Sequence, residues 1–305
     1  MKKVINIIGI VFLVGFIVIK ILGAFLSKIP SVPNDYITKV KTGGDIEKKY
    51  LANGKYEVDY FESGSMSSLK KFEVYYPKDI EKMDKLPVVV FVNGTGILGS
   101  KYSALQKHLA SWGFITIATE EENAFFGFSA EMSIRYLEYI ENNSDDKNEF
   151  KFKGHIDLER IGITGHSQGG IGVINAVTTQ KHSDMYKAAV ILSSTETDMA
   201  KAFLWDSDST LIKANTLMIS GTGDTDSKIS PLESLEKTYN NINGASKVLA
   251  RRNDADHGEM LYYADGYVTA WFMYYLQNDK DANAFFGENP EMKNNVLYQD
   301  FQSNE

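Results

Sequence analysis

One stretch decides the fold: Arg160-Ile161-Gly162-Ile163-Thr164-Gly165-His166-Ser167-Gln168-Gly169-Gly170. Its first five residues predict a buried strand, and the apolar run over 171–179 predicts a helix. Gly165 and Gly169 flank Ser167 in the pattern G-x-S-x-G, which in this context raises a serine hydroxyl above the edge of a sheet on a strained turn. The helix N-terminus behind the turn stabilises developing negative charge. The stretch therefore predicts a nucleophilic serine; the alternative is a glycine-rich turn with an incidental serine.

A serine nucleophile needs a histidine base, which is itself oriented by an acid. Only two histidines follow Ser167 in the sequence. His182 ends the predicted helix after the elbow and is expected to be solvated, whereas His257 lies in a loop after the last predicted strand, at the same sheet edge as the elbow. His257 is therefore the predicted base. Asp224 and Asp226 both follow a predicted strand, and the residues alone leave both open as the acid.

Strand and helix patterns alternate along most of the chain. Strands are predicted at 55–61, 69–76, 86–92, 114–119, 160–164, 188–193, 215–220 and 246–250, and helices at 101–112, 129–142, 168–179, 232–241 and 265–277. Such alternation indicates a mainly parallel sheet with helices on both faces. We predict a single catalytic domain over 55–305.

The first 28 residues differ from the rest of the chain. They contain lysines and no acid, although the whole chain of 305 residues has a formal net charge of −8. Residues 4–26 are apolar apart from Asn6 and Lys20, a length that predicts a membrane-spanning helix with its N-terminus inside the cell. A cleaved secretion signal is the alternative. We therefore expect a single-pass protein of the cell membrane, in contact with the lipid bilayer through 4–26, whose extracellular catalytic domain follows a linker at 29–54; cleavage would make it secreted.

The composition excludes several classes of protein. The chain has no cysteine, so disulfide scaffolds, thiolate metal sites and cysteine nucleophiles are ruled out. The negative charge argues against a nucleic-acid partner. No H-E-x-x-H, EF-hand or phosphate-loop pattern occurs, so we expect neither a metal nor a cofactor. The expected partner is a small ester or acyl substrate; the oligomeric state is not indicated.

A second glycine-rich loop reads Gly94-Thr95-Gly96-Ile97-Leu98-Gly99 and fits G-x-G-x-x-G. It lies between a predicted strand and a predicted helix, and acidic residues at 120–122 end the next strand, as in dinucleotide-binding folds. However, two predicted strands precede this unit, and a loop that supplies an oxyanion-hole N–H would explain the same glycines. Dinucleotide binding is therefore the less favoured alternative.

Three segments carry a resemblance to a known family. The elbow, Leu109-Ala110-Ser111-Trp112-Gly113-Phe114, and the tail from Ala270-Trp271-Phe272 to Gln277-Asn278-Asp279 resemble the dienelactone-hydrolase-like and cutinase-like polyester hydrolases of the α/β-hydrolase fold, over roughly residues 55–300. The resemblance implies an α/β-hydrolase fold, with a mostly parallel central sheet of about eight strands and helices on both faces. The N-terminal transmembrane helix would precede it.

The same resemblance implies individual site residues. Alignment on 109–114 places Thr95 where the family has a backbone N–H facing the oxyanion, and Gln168 supplies the second N–H. The family's acid stands shortly before a proline, as Asp226 stands before Pro231, which favours Asp226 over Asp224.

Two positions depart from the family pattern. Polyester hydrolases of this group usually have an aromatic residue where Thr95 stands and a tryptophan where Thr195 stands. The resemblance therefore implies hydrolysis of carboxylic esters in general rather than of an aromatic polyester. We expect a serine esterase that forms an acyl-enzyme with Ser167, Asp226 and His257 as its triad. An acyltransferase with the same triad and a catalytically silent binding module with the same fold are the alternatives.

Overall fold

The computed structural model describes residues 31–63, 69–143 and 150–305. The strands within them are β1 (Val58–Glu62), β2 (Phe72–Pro77), β3 (Leu86–Val92), β4 (Ile115–Thr119), β5 (Ile156–His166), β6 (Tyr186–Leu192), β7 (Asn215–Gly221), β8 (Lys247–Arg252) and β9 (Tyr298–Ser303). The α-helices are α1 (Tyr36–Lys39), α2 (Asp45–Leu51), α3 (Ser103–Ser111), α4 (Phe128–Asn143), α5 (Gln168–Thr178), α6 (Thr197–Ala202), α7 (Asp226–Ile229), α8 (Leu232–Asn241), α9 (Asp265–Gln277) and α10 (Glu291–Asn294).

The strands form one sheet in the order β1-β2-β4-β3-β5-β6-β7-β8-β9. The six strands from β4 to β8 in that order are parallel neighbours. Antiparallel pairing joins β1 to β2, β2 to β4 and β8 to β9 at the two ends of the sheet. The predicted mostly parallel sheet is confirmed, with one strand more than the eight that the sequence indicated.

Both faces of the sheet are buried. Along β3, Val88 and Val90 belong to one hydrophobic cluster, whereas Val89 and Phe91 belong to the other, as the two-residue period of a strand requires. Helices α4, α5 and α8 contribute to the first cluster, and α3 and α9 to the second. Because both faces of each central strand are buried, the strand sequences are apolar almost without interruption.

The order of the strands creates a crevice at the carboxyl ends of β3 and β5. After β3 the chain proceeds to β4 on one side, whereas from β5 onwards it proceeds on the other side. Val92, the last residue of β3, pairs with Gly165 near the end of β5. Ligands of open α/β sheets bind at such a switch point. The loop after β3 and the serine elbow after β5 therefore lie side by side.

The part of the predicted linker that the structure describes is folded. Tyr36 of α1 and Tyr50 of α2 are almost fully buried. Glu47 of α2 is also buried, and its carboxylate lies 2.8 Å from Arg252 Nη1 and accepts a 2.9 Å hydrogen bond from the Tyr298 hydroxyl. These contacts attach α2 to the far end of the sheet.

The prediction of a single-pass membrane protein is contradicted. Across residues 31–63, 69–143 and 150–305, no helix combines the length and the apolar character needed to cross a bilayer. The longest helix there, α4, has 16 residues, fewer than the ~20 that a bilayer core requires. Residues 4–26, on which the prediction rested, lie outside the described residues. The expected membrane location and the lipid bilayer as a partner therefore have no support in the structure.

Candidate active site

Ser167 stands on a strained turn between β5 and α5. Its backbone angles are φ 59° and ψ −125°, a region that costs a non-glycine residue about 1–3 kcal/mol. Its N–H donates to the Leu192 carbonyl at 3.0 Å, and its own carbonyl accepts from the Gly170 N–H at 2.9 Å. These hydrogen bonds hold the serine at the carboxyl edge of the sheet.

The glycines of the G-x-S-x-G pattern are required by close packing. A Cβ atom on Gly165 would lie 2.3 Å from the carbonyl oxygen of Gly169, and one on Gly169 would lie 2.3 Å from the carbonyl oxygen of Val92. Backbone atoms cannot move aside as a flexible side chain can. The glycines of the pattern are therefore present because no side chain fits at positions 165 and 169.

A histidine–aspartate pair lies at the same edge of the sheet. His257 Nδ1 is 2.6 Å from Asp226 Oδ1; the Asp226 side chain is fully buried, whereas 18% of the His257 side chain is exposed. The other Asp226 oxygen accepts hydrogen bonds from the Ser193 hydroxyl at 2.8 Å and from the Gly221 N–H. Asp224 is exposed. Of the two candidate acids, the structure brings Asp226 to His257.

Asp256 organises this pair, a role that the sequence did not suggest. Its Oδ1 atom accepts the backbone N–H groups of Thr225 at 3.0 Å, Asp226 at 2.9 Å and His257 at 2.9 Å. The hydrogen bonds from His257 and Asp226 are the main reason that the pKa of Asp256 lies below its usual range. One carboxylate therefore fixes the backbone on both sides of the pair. An aspartate immediately before the candidate base was the available signal.

His166, next to the nucleophile, also contacts the base. Its Nε2 donates to the His257 carbonyl at 2.7 Å, and the two rings are 4.4 Å apart. Burial, together with the nearby His257, lowers the pKa of His166 to about 3. His166 is therefore a neutral donor that ties the elbow to the loop carrying His257.

The loop after β3 runs beside the nucleophile. A Cβ on Gly94 would lie 3.2 Å from the His166 carbonyl oxygen and 3.8 Å from Ser167 Cβ. Thr95 follows in an exposed position, and Gln168 is the buried first residue of α5. Gln168 has a backbone N–H that, as the first of a helix, lacks an intrahelical acceptor. Of the two residues whose N–H groups were predicted to face the oxyanion, Gln168 thus directly follows Ser167, and Thr95 lies in the loop that packs beside the elbow.

The dinucleotide alternative gains no support from this loop. A Cβ on Gly99 would lie 2.5 Å from the Thr119 carbonyl oxygen, so close packing explains that glycine. The Glu120 carboxylate, a candidate for binding a ribose, is buried and accepts the Ser100 N–H at 2.8 Å. Of the three acids at 120–122, Glu120 is therefore engaged within the protein.

The other histidines have structural partners. His182, predicted to be solvated, is instead largely buried, with Nδ1 2.9 Å from Glu131 Oε1. His108 pairs with Asp265 at 2.7 Å on the other face of the sheet. In the part of the chain that the structure describes, no group of three or more histidine, aspartate or glutamate side chains could hold a metal ion.

Comparison with known proteins gives one family match. A family model described as PET hydrolase-like matches residues 40–303, which is most of the chain. No curated protein matches the sequence. The family match indicates an ester hydrolase and favours neither the acyltransferase nor the dinucleotide-binding alternative. The chain belongs to the PET hydrolase-like family of α/β-hydrolases.

Proposed function

We propose that the protein hydrolyses carboxylic esters with Ser167 as nucleophile, His257 as general base and Asp226 as the acid that orients the base. The observation that carries this proposal is the 2.6 Å contact of the buried Asp226 with His257, beside a serine held at positive φ. A buried carboxylate at Nδ1 keeps the proton on that nitrogen and leaves Nε2 able to accept another.

The first half of the reaction forms an acyl-enzyme. Ser167 Oγ attacks the ester carbonyl carbon while His257 Nε2 takes the hydroxyl proton. The carbonyl oxygen becomes an oxyanion, to which the N–H groups of Thr95 and Gln168 donate, each worth about 3–4 kcal/mol in such sites. The carbon–oxygen bond to the leaving group then breaks, and His257 gives its proton to the departing alkoxide.

The second half repeats these steps with water. His257 takes a proton from a water molecule, whose oxygen attacks the acyl carbon; the collapse of the second tetrahedral intermediate returns the proton to Ser167 Oγ and releases the acid. The family match favours esters and polyesters as the substrate class. Threonine at positions 95 and 195, where the related polyester hydrolases usually have aromatic side chains, favours a substrate without an aromatic ring.

The test is hydrolysis of short-chain p-nitrophenyl esters by the full chain and by Ser167→Ala. We expect the substitution to lower kcat by about 10⁶-fold and to abolish labelling by a fluorophosphonate probe. Ser183→Ala, which changes a serine away from the site, should behave as the wild type. Equal activity in Ser167→Ala and the wild type would contradict the proposal. Free acid as the product in the presence of an added alcohol would distinguish hydrolysis from acyl transfer.

A further inference from the structure

The backbone N–H groups of the loop after β3 differ in their hydrogen bonding. The Gly94 N–H donates to the Tyr102 hydroxyl oxygen at 3.0 Å, and the Gly96 N–H donates to the Glu122 carbonyl at 2.9 Å. The Thr95 N–H lies between them and has no acceptor among the described residues. The neighbours of the proposed oxyanion donor are therefore engaged within the protein, whereas the donor itself is free.

The shape of the loop directs this free donor. The Gly94 carbonyl accepts the Ile97 N–H at 3.1 Å and so closes a β-turn, whose third residue, Gly96, has φ 67°. In a trans peptide group the C=O and the N–H point in opposite directions. The Gly94 carbonyl points into the turn, so the Thr95 N–H, which belongs to the same peptide group, points out of it.

Tyr102 offers its hydroxyl oxygen from a fixed place. The residue directly precedes α3 and is almost fully buried, and its ring stacks on that of Phe91 with centroids 6.4 Å apart. Burial raises the pKa of Tyr102 to about 12, so the hydroxyl is neutral at neutral pH. A packed ring and a neutral hydroxyl together make a rigid acceptor for the Gly94 N–H.

Gly94 needs such an acceptor. Glycine has no Cβ and can adopt many backbone angles, so its own conformation does not fix the direction of the next peptide group. A Cβ here would lie 3.2 Å from the His166 carbonyl oxygen, so a bulkier residue that would restrict those angles fits poorly. Gly94 is also buried, and a buried N–H requires a partner. The Tyr102 hydroxyl supplies this partner and holds the peptide plane that precedes Thr95.

We propose that Tyr102 is a positioning residue for ester hydrolysis. Its hydroxyl holds the Gly94 N–H and thereby sets the Thr95 N–H in the place where the oxyanion forms. Tyr102 acts through the loop and not by contact with the substrate. The inference rests on the proposed function, because it takes the Thr95 N–H to be an oxyanion donor.

The first test removes only the hydroxyl. Loss of one oxyanion donor lowers kcat about 10²–10³-fold, and a displaced donor should cost less. We therefore expect Tyr102→Phe to lower kcat for p-nitrophenyl butyrate about 10–100-fold and to keep KM within about twofold, because the oxyanion exists only in the transition state. A kcat equal to that of the wild type would overturn the proposal.

A matched variant separates this effect from a general loss of stability. Tyr50 is also buried, and its hydroxyl donates to Asp279 at 2.7 Å. Tyr50→Phe should lower Tm and leave kcat unchanged. If Tyr50→Phe lowered kcat as much as Tyr102→Phe, the loss would reflect a buried hydroxyl in general, and the proposal would be overturned.

A transition-state analogue tests the oxyanion directly. In 1,1,1-trifluorohexan-2-one the carbonyl carbon accepts Ser167 Oγ, the serine proton passes to His257, and the carbonyl oxygen becomes an oxyanion without loss of a leaving group. Tyr102→Phe should raise the inhibition constant of this ketone by the same factor by which it lowers kcat/KM. An unchanged inhibition constant beside a lowered kcat would place the effect at another step and overturn the proposal.

A double variant tests whether Tyr102 acts through Thr95. Thr95→Pro removes the donor, since proline has no N–H, and Thr95 is the second residue of the turn, where proline is common. We expect Thr95→Pro to lower kcat about 10²–10³-fold, and Tyr102→Phe to lower it by less than twofold further in that background. Independent, multiplying losses would show that Tyr102 does not act through the Thr95 N–H.

The wild type distinguishes this inference from the proposed function. An active wild type with an equally active Tyr102→Phe overturns the inference alone. A wild type that neither hydrolyses p-nitrophenyl butyrate nor binds the ketone contradicts the proposed function, and the inference with it.

Discussion

The described part of the chain contains two histidine–aspartate pairs of nearly equal geometry. His257 Nδ1 lies 2.6 Å from Asp226 at the carboxyl edge of the sheet, and His108 Nδ1 lies 2.7 Å from Asp265 beneath α1 and α2. Distance alone therefore does not distinguish a candidate catalytic pair from a structural one.

The difference lies at the second nitrogen and in the surroundings. His108 Nε2 donates to the Ala52 carbonyl at 2.9 Å, and Asp265 also accepts the Tyr36 hydroxyl at 2.5 Å, so both side chains are engaged and buried. The His257 side chain is 18% exposed, and within the described residues its Nε2 has no protein partner. A histidine–aspartate pair can exchange a proton with a ligand only when its outer nitrogen is free. The His108 pair instead attaches the segment before β1 to the domain.

The largest expected effect is on the His257–Asp226 pair. Asp226→Asn should lower kcat for p-nitrophenyl esters by about 10⁴-fold, because an amide no longer holds the imidazole in the tautomer that accepts the Ser167 proton. Asp224→Asn, at an exposed neighbour, should keep kcat within about twofold of the wild type. Comparable losses in the two variants would show that contact with His257 does not identify the acid.

A substitution in the His108–Asp265 pair should lower the stability of the protein rather than its activity. Asp265→Asn should lower the free energy of unfolding by about 3–5 kcal/mol, because it leaves a buried imidazole without its charged partner. Asp281→Asn, at an exposed acid paired with Lys49, should cost at most about 1 kcal/mol. Urea unfolding measures both. A large loss of kcat in folded Asp265→Asn would erase the distinction between the two pairs.

Asp256 provides a test of backbone support for the candidate catalytic pair. Asp256→Ala removes the acceptor shared by three N–H groups and should lower kcat/KM about 10–100-fold, the equivalent of one charge-assisted hydrogen-bond acceptor. Asp256→Asn keeps an oxygen at this place and should recover most of the activity. If Asp256→Asn were as impaired as Asp256→Ala, the negative charge rather than the acceptor would be responsible.

The smallest effect is a pH dependence of stability. Burial acts to lower the pKa of His108, but the charge and hydrogen bond of Asp265, with the carbonyls of Ala52 and Leu51, raise it above the usual range. A raised folded pKa contributes stability that is fully present below about pH 6.5 and is lost as the pH rises through the folded value. The wild type should therefore lose its advantage in unfolding free energy over His108→Gln as the pH rises. The expected loss is about 1.4 kcal/mol for each pH unit between pH 6.5 and the folded pKa of His108. A difference that is constant from pH 6 to pH 9 would contradict a raised pKa.

The sequence predicted the features that depend on local residues. The elbow was recognisable because its glycines, its strand and its helix are contiguous, and β3, α8 and α9 have the predicted limits because their apolar patterns are unbroken. Asp226 was not separable from Asp224 by local pattern, since the choice depends on α7, a single turn that begins at Asp226 and turns its side chain inward.

Features that depend on distant residues were missed. Strand β9 has mostly polar, partly exposed residues, and it pairs with β8 at the end of the described sheet, so nothing local marks it as a strand. Residues 31–54 contain one proline and three glycines and resemble a linker, yet Tyr36 is buried through contact with Asp265, 229 residues further along the chain. Partners at such separations leave no periodic pattern in the segment itself.

The Glu47–Arg252 contact has a consequence for synthesis of the chain. The two residues are 205 positions apart, and at about 5–20 residues per second a ribosome needs roughly 10–40 s to make the intervening chain. During that time Glu47 stays hydrated and α2 has nothing to pack on. The contact that closes the segment before β1 therefore forms only after Arg252 has been made, and until then one face of the nascent domain is open to chaperones and proteases.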